Sequence, residues 1–286
     1  MIAEGTTLAF SVVVPTYRRN DLLARCLDAL APGRQTLDAA RYEVIVTDDA
    51  PAPHNVDAMI RERFGWARWT QGPGRGPAAN RNHGARQARY AHLVFTDDDC
   101  IPSPRWLQAY AEALSPKFAV YEGRTTCAGG LPSPLYAAPV NETGGYLWSC
   151  NMMLARAVFE SLGGFDESYP FPAMEDVDFR ERLKTAGFEF PFVAGAVVDH
   201  PPRRMPSPTR RVELDESIYW HHARKGAPLS LGRMARDKVR FRLREILAAP
   251  KGADSIRAVG ALVAELVALR RLYATWQQKY LAAGRP

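Results

Sequence analysis

Three short apolar runs, each ending in polar residues, constrain this chain more than any other feature. Residues 10–15 read Phe-Ser-Val-Val-Val-Pro, residues 42–47 read Tyr-Glu-Val-Ile-Val-Thr, and residues 93–96 read Leu-Val-Phe-Thr. Runs of this length, rich in β-branched side chains, are buried strands. Between the first two, apolar residues at 22, 23, 26, 27 and 30 make a helical stripe over Asp21 to Leu30. Helical patterns also cover Val56 to Phe64 and Pro77 to Ala91, with a weaker strand at Trp66 to Thr70 between them. Strand and helix alternate three times at spacings that need crossover connections. The prediction is an α/β fold with a mostly parallel sheet covered by helices on both faces. With 47% apolar residues among 286, a sizeable core can form, and 24% charged residues exclude wholesale disorder.

In such sheets ligands gather beyond the carboxyl ends of the strands. Three strand ends here carry polar chemistry: Thr16-Tyr17-Arg18, Asp48-Asp49 and Asp97-Asp98-Asp99. Three adjacent carboxylates repel one another, and a divalent cation with oxygen ligands, Mg2+ or Mn2+, offsets that repulsion. A solvated acidic turn or a helix cap would read the same in isolation. Residues 72–84 form a glycine-rich, basic loop running into a helix, where backbone amides together with Arg75 and Arg81 suit a phosphate. Glu175 and Asp176 open a helical pattern; their spacing alone favours acids that compensate the helix dipole, and the alternative is a base for an acceptor hydroxyl. His200 follows a late strand over Phe192 to Asp199. A lone histidine is more often structural, but beside an acidic metal site it is a reasonable ligand.

After residue 100 the pattern loosens. Helices are expected over Arg105 to Leu114, Ala155 to Leu162 and Val177 to Ala186, with a Gly- and Pro-rich stretch from 129 to 145. Pro201 to Pro208 reads as a linker, and the rest as helical. The cysteines Cys26, Cys100, Cys127 and Cys150 stand far apart and read as packing thiols.

These residues, taken together, resemble the family 2 glycosyltransferases, whose nucleotide-binding domain is the Rossmann-like GT-A fold. The matching segments appear in family order at 11–18, 44–49, 76–82, 95–99, 149–152, 163–167, 175–176 and 198–200, and the resemblance spans about residues 8–202. It implies that Pro15, Thr16, Tyr17, Arg18 and Asp48 hold the nucleotide base and ribose. It places Arg81 near the base or diphosphate. Asp97, Asp98 and Asp99 look like the family's acidic motif, with Asp99, Asp97 and His200 toward the metal. Asp176 resembles the base of an inverting displacement, with Glu175 assisting, and Asn151 with the Trp148–Cys150 segment lines the sugar and acceptor side. The implied function is metal-dependent transfer of a single sugar from a nucleoside-diphosphate sugar, UDP favoured, to a hydroxyl of a glycan, lipid-linked or small-molecule acceptor. A nucleotidyltransferase and an inactive nucleotide-sugar-binding protein are the rivals. The loop after Asp49 departs from the family pattern, and no Gln-x-x-Arg-Trp mark of processive synthases is present.

The charge is split. Residues 203–286 hold 18 Lys+Arg against 7 Asp+Glu, whereas residues 1–202 hold 19 against 24. A catalytic domain over 1–202 and a basic helical region over 203–286 follow. Val259, Leu262, Leu266, Leu269, Tyr273, Trp276 and Tyr280 repeat in steps of 3 and 4. That stripe fits a helix packed on the body, a homodimer seam, or peripheral attachment to an anionic membrane. No nucleic-acid module is recognisable. The longest nearly apolar run, Ala258 to Leu269, is too short to span a bilayer and contains Glu265. With no leader visible at Met1 to Gly5, the expected location is cytoplasmic, and the membrane-attachment reading of the tail would add contact at the inner face of the membrane.

Overall fold

The computed structural model describes residues 8–53, 55–250 and 252–281. The N-terminal stretch read above for a leader lies outside the described residues, as do Lys251 and Arg285 of the basic region.

The strands are β1 (Phe10–Thr16), β2 (Tyr42–Asp48), β3 (Arg68–Gln71), β4 (His92–Phe95), β5 (Ile101–Pro102), β6 (Val120–Thr126), β7 (Tyr136–Ala137), β8 (Met152–Ala155), β9 (Phe192–Asp199) and β10 (Arg203–Arg204). The α-helices are α1 (Asn20–Leu30), α2 (Val56–Arg63), α3 (Pro77–Arg86), α4 (Trp106–Ala113), α5 (Arg156–Ser161), α6 (Glu175–Thr185), α7 (Pro208–Ala223), α8 (Leu231–Ala248) and α9 (Ala253–Leu281). Eight strands form one sheet in the order β3-β2-β1-β4-β8-β6-β9-β5. The β3-β2-β1-β4 half is parallel, as is β6-β9, while β8 runs antiparallel to both β4 and β6.

The chain forms two compact units. Among the described residues, one comprises 8–126, 139–167 and 175–201; the other comprises 127–138, 168–174 and 202–281. In the first unit, alternate strand residues feed opposite faces of the sheet. Val12, Val14, Val44 and Val46 pack with α1, α2 and α4, among them Leu23, Leu27, Ile60 and Trp106. Val13, Ile45, Leu93 and Phe95 pack with α3, α5 and α6, among them Ala85, Phe159 and Phe179. The close seat of α3 depends on Gly84, where a Cβ would come within 2.5 Å of Val13 Cγ1 and 2.7 Å of Thr47 Cγ2. Helix α3 stops at Arg86, short of the expected Ala91. The amides of Arg89 and Tyr90, which a further turn would direct to the carbonyls of Ala85 and Arg86, donate instead to Glu43 Oε1 at 2.7 Å and Ser11 Oγ at 3.1 Å.

The connection order places a switch point between β1 and β4, because β2 and β3 follow on one side of β1 and β4 lies on the other. Pairing of β4 with β1 ends at Val13–Phe95, so Pro15 sits past the last β4 partner and its missing N–H leaves no gap in the ladder.

The second unit is mainly helical. Tyr219 of α7 meets Trp276 of α9 at 5.9 Å and Tyr273 at 5.5 Å, and Val212, Met234 and Leu269 fill the same core. Leu262, Leu269 and Trp276 of the predicted stripe are buried, but Val259 is exposed, and the buried line runs instead through Ala258, Leu262, Glu265 and Leu269. The stretch read as a linker contains β10, which pairs with β7. Among the described residues, no helix is long and apolar enough to cross a membrane.

Candidate active site

The acids at the strand ends meet at the switch point. Thr16, the last residue of β1, donates its hydroxyl to Asp98 at 2.7 Å. Arg19, one turn later, reaches both Asp98 and Asp99 at 3.1 Å. Burial pushes the Asp98 carboxyl up to about 6, against the pull of Arg19 and the Thr16 hydroxyl. Arg19 is not singled out by the sequence pattern; its place immediately before α1, beside the Thr16-Tyr17-Arg18 strand end, is the signal that could have found it.

His200, just past β9, holds its Nε2 3.3 Å from Asp99 Oδ1. One donor atom from each of Asp99, Cys100 and His200 lies within 4.8 Å of the others, and all three side chains are buried. A carboxylate and an imidazole at that separation fit a shared divalent ion. Cys100, read from the sequence as a packing thiol, is thus drawn into the cluster; burial pushes its thiol well up, so it is neutral as it stands. Among the described residues, no two cysteines are joined in a disulfide.

Arg81 on α3 joins the two acidic groups. It donates to Asp97 at 2.5 Å and to Glu175 at 3.2 Å, and its side chain is 6% exposed. Glu175 and Asp176 open α6. Burial raises the carboxyl of each, Arg81 opposing the shift in both. Glu175 is buried against Arg81, whereas Asp176 is half-buried and accepts the Val177 amide at 2.8 Å.

Other predicted positions serve the scaffold in part. The Asp48 carboxylate accepts the Ala50 amide at 3.0 Å. Its neighbour Asp49 accepts from Gly74 and Gly76, each at 2.7 Å, so these glycine-loop amides, expected to suit a phosphate, are aimed at the chain's own carboxylate. Arg75 pairs with Glu167 at 2.9 Å. Tyr17 is exposed, with the Arg18 guanidinium over its ring at 5.4 Å, and Arg18 takes a positive φ of 55°. Asn151 is buried and fully engaged. Its carbonyl accepts from Trp106 and Tyr110, both at 2.8 Å, and its amide donates to the carbonyls of Arg124 at 2.8 Å and Ala196 at 3.0 Å.

The loop leading into β8 contains the Trp148–Cys150 segment expected on the acceptor side, and it is anchored by a residue with no clear sequence signal. The buried Glu122 on β6 accepts from Asn141 and from the amides of Gly145, Tyr146 and Leu147. Leu147 is held at φ 49°. Arg180, one turn along α6 from Asp176, ties down the Gly145 and Tyr146 carbonyls at 3.1 Å. The result is a fixed pair of rings, Tyr146 and Trp148, with centroids 4.7 Å apart and Tyr146 exposed. Because Met152 pairs with Phe95, this loop lies at the sheet edge that carries Asp97 to Asp99.

Residues 11–130 match the model of glycosyl transferase family 2. The chain carries a family 2 glycosyltransferase domain. It is 36% identical over 110 residues to the chondroitin synthase of Escherichia coli, covering 37% of this chain and 15% of that protein. It is 26% identical over 227 residues to the glycosyltransferase AglE of Haloferax volcanii, covering 69% of each. Of the chondroitin synthase the chain therefore spans well under two thirds. Among solved structures, the family 2 domain and its extension superpose on the mannosyltransferase PcManGT from Pyrobaculum calidifontis in complex with GDP-Man and Mn2+, with a TM-score of 0.54, 19% identity and coverage of 93% of this chain and 75% of that one. They superpose equally on S. aureus TarS 1-349 in complex with UDP-GlcNAc, with a TM-score of 0.55, 18% identity and coverage of 97% and 76%. The family 2 domain has the GT-A glycosyltransferase fold.

Proposed function

We propose that this protein is an inverting, metal-dependent glycosyltransferase that moves one sugar from a nucleoside-diphosphate sugar to an acceptor hydroxyl. The observation that carries the reading is Arg81, which ties Asp97 on the donor-side acidic cluster to Glu175 beside Asp176. One buried guanidinium thus holds the groups for both halves of a displacement at one edge of the sheet. That structures of the same fold bind GDP-Man and UDP-GlcNAc supports a nucleoside-diphosphate sugar as donor, and a UDP-sugar is our preferred one.

Asp99 and His200, with Asp97, would hold Mn2+ or Mg2+, which when bound offsets the charge that develops on a departing diphosphate. Pro15, Thr16, Tyr17, Arg18 and Asp48 shape the base and ribose side. Asp98 is held by Thr16 and Arg19, and keeps that strand end fixed toward the donor. Asn151 acts from beneath, since its hydrogen bonds go to protein. On the acceptor side Asp176 takes the hydroxyl proton, because it is less buried than Glu175 and is not clamped by Arg81. Glu175 orients it. The Tyr146–Trp148 pair offers a ring face on which an acceptor sugar would stack.

The test separates donor binding from transfer. Asp176→Asn should lower turnover by at least about 100-fold while donor affinity stays within experimental error. Asp99→Ala should weaken donor binding in Mn2+ measured by calorimetry, and EDTA should do the same to the unsubstituted chain. Near-normal turnover in Asp176→Asn would reassign that residue to capping α6.

A further inference from the structure

Among the described residues, ten large apolar side chains are exposed, and seven of them lie between residues 241 and 267. Phe241, Leu243 and Leu247 are on α8; Ile256, Val259, Val263 and Val267 follow on α9 in steps of 3, 4 and 4, one face of a helix. The two most exposed, Leu247 at 71% and Ile256 at 78%, flank the short connection between the two helices. Scattered surface apolar residues need no explanation, but concentration on one helical hairpin does.

The same hairpin is basic on its outside. Arg233, Arg236, Arg240 and Arg244 are exposed along α8, and Arg257 is exposed at the start of α9. Arg242, by contrast, is buried against Glu245 and Glu265, so it belongs to the core and not to this surface. On α8 the exposed arginines therefore alternate with Leu243 and Leu247, while the inward positions Met234, Arg242 and Ile246 are buried.

We propose that the α8–α9 hairpin is a docking surface for an anionic lipid bilayer, with Leu247 and Ile256 entering the headgroup–acyl boundary and the arginines meeting phosphates. Charge complementarity selects this occupant. A second copy docked around a two-fold axis on the α8 face would bring arginine onto arginine, a like-charge contact. A nucleic acid would satisfy the arginines and leave the apolar side chains in water. Interfacial helices combine a basic face with aliphatic and aromatic residues as α8 does, and each arginine near an anionic surface strengthens binding about fivefold.

The experiment is co-sedimentation of the full chain with vesicles of equal parts phosphatidylglycerol and phosphatidylcholine, and with phosphatidylcholine alone. Binding is expected to the anionic vesicles only, with release at high salt as screening shortens to about 3 Å at 1 M. Leu247→Ser with Ile256→Ser should weaken binding at least about tenfold, and Arg240→Ser with Arg244→Ser by a comparable factor. Since all four are exposed, melting temperatures should overlay that of the unsubstituted chain. Failure of the unsubstituted chain to sediment overturns the proposal whatever the variants do. So does binding that ignores the Leu247 and Ile256 changes and is matched by a soluble oligonucleotide. A dimer in light scattering that Val263→Glu abolishes, without vesicle binding, assigns the surface to a second copy.

Discussion

Arg81 sits among three acids, and its charge opposes the upward shift of two of them, Glu175 and Asp176. Without it, only backbone hydrogen bonds would oppose the burial of Glu175 and Asp176, and both carboxyls would rise further. A general base works only when ionised, so turnover should rise with pH through the pKa of this pair. Replacing Arg81 with Met should therefore move the acidic limb of the kcat/KM profile to higher pH, by about one unit or more for a charge in contact. An unmoved limb would mean that neither carboxyl governs the rate. Stability has the opposite sign. A carboxyl whose folded pKa is raised supports the fold fully below its ordinary value and loses that contribution as pH rises through the folded one. The sequence could name Arg81 but not its bridging role, because Asp97 and Glu175 lie far from it along the chain. Asn151 shows the reverse: its sequence position matched a ligand-side residue, while its four hydrogen bonds all go to protein.

Strands β1, β2 and β4 could be read because their residues are apolar on both faces, which only a covered sheet requires. Strands β6 and β8 could not. Residues 120–126 read Val-Tyr-Glu-Gly-Arg-Thr-Thr, and a carboxylate in mid-strand argues against burial. Glu122 is nevertheless buried, because Asn141 and three loop amides satisfy it. Those partners follow it by 19 to 25 residues, beyond any local pattern. Helix α3 was legible in kind but not in length, since Glu43 and Ser11 on the sheet take the amides that would extend it. Its seat on the sheet makes a prediction for the element as a whole. Gly84→Ala would drive a methyl into Val13 and Thr47 and lift α3, which carries Asn80 and Arg81. The expected cost is about 1–3 kcal/mol in urea denaturation, with donor affinity falling in parallel. Unchanged stability would mean that the helix can shift without strain.

At the scale of the molecule, the charge split visible in the sequence is only partly a surface property. Glu265 on α9 is fully buried and faces Arg211 of α7 together with Lys238 and Arg242 of α8. Three of the cations in the basic region are thus committed to the core of the second unit, with Asp215 and Glu245 alongside Lys238 and Arg242. Glu265→Gln removes the carboxylate and leaves those cations against each other, so a loss of about 3–5 kcal/mol is expected. Chemical denaturation monitored by tryptophan fluorescence would report it through Trp220 and Trp276. An equal stability in the Gln variant would show that solvent reaches the cluster.

The second unit is also stitched from three stretches of sequence, two of which, 127–138 and 168–174, are excursions out of the first. Such a chain is not modular at the genetic level. A gene fusion or recombination joint at residue 202 would hand on the large helical part of that unit while leaving its two short pieces behind in the parent. Homologous tails from other enzymes cannot simply be exchanged at that joint; the two insertions have to travel with them, and drift in either insertion is tied to drift in the helices it accompanies.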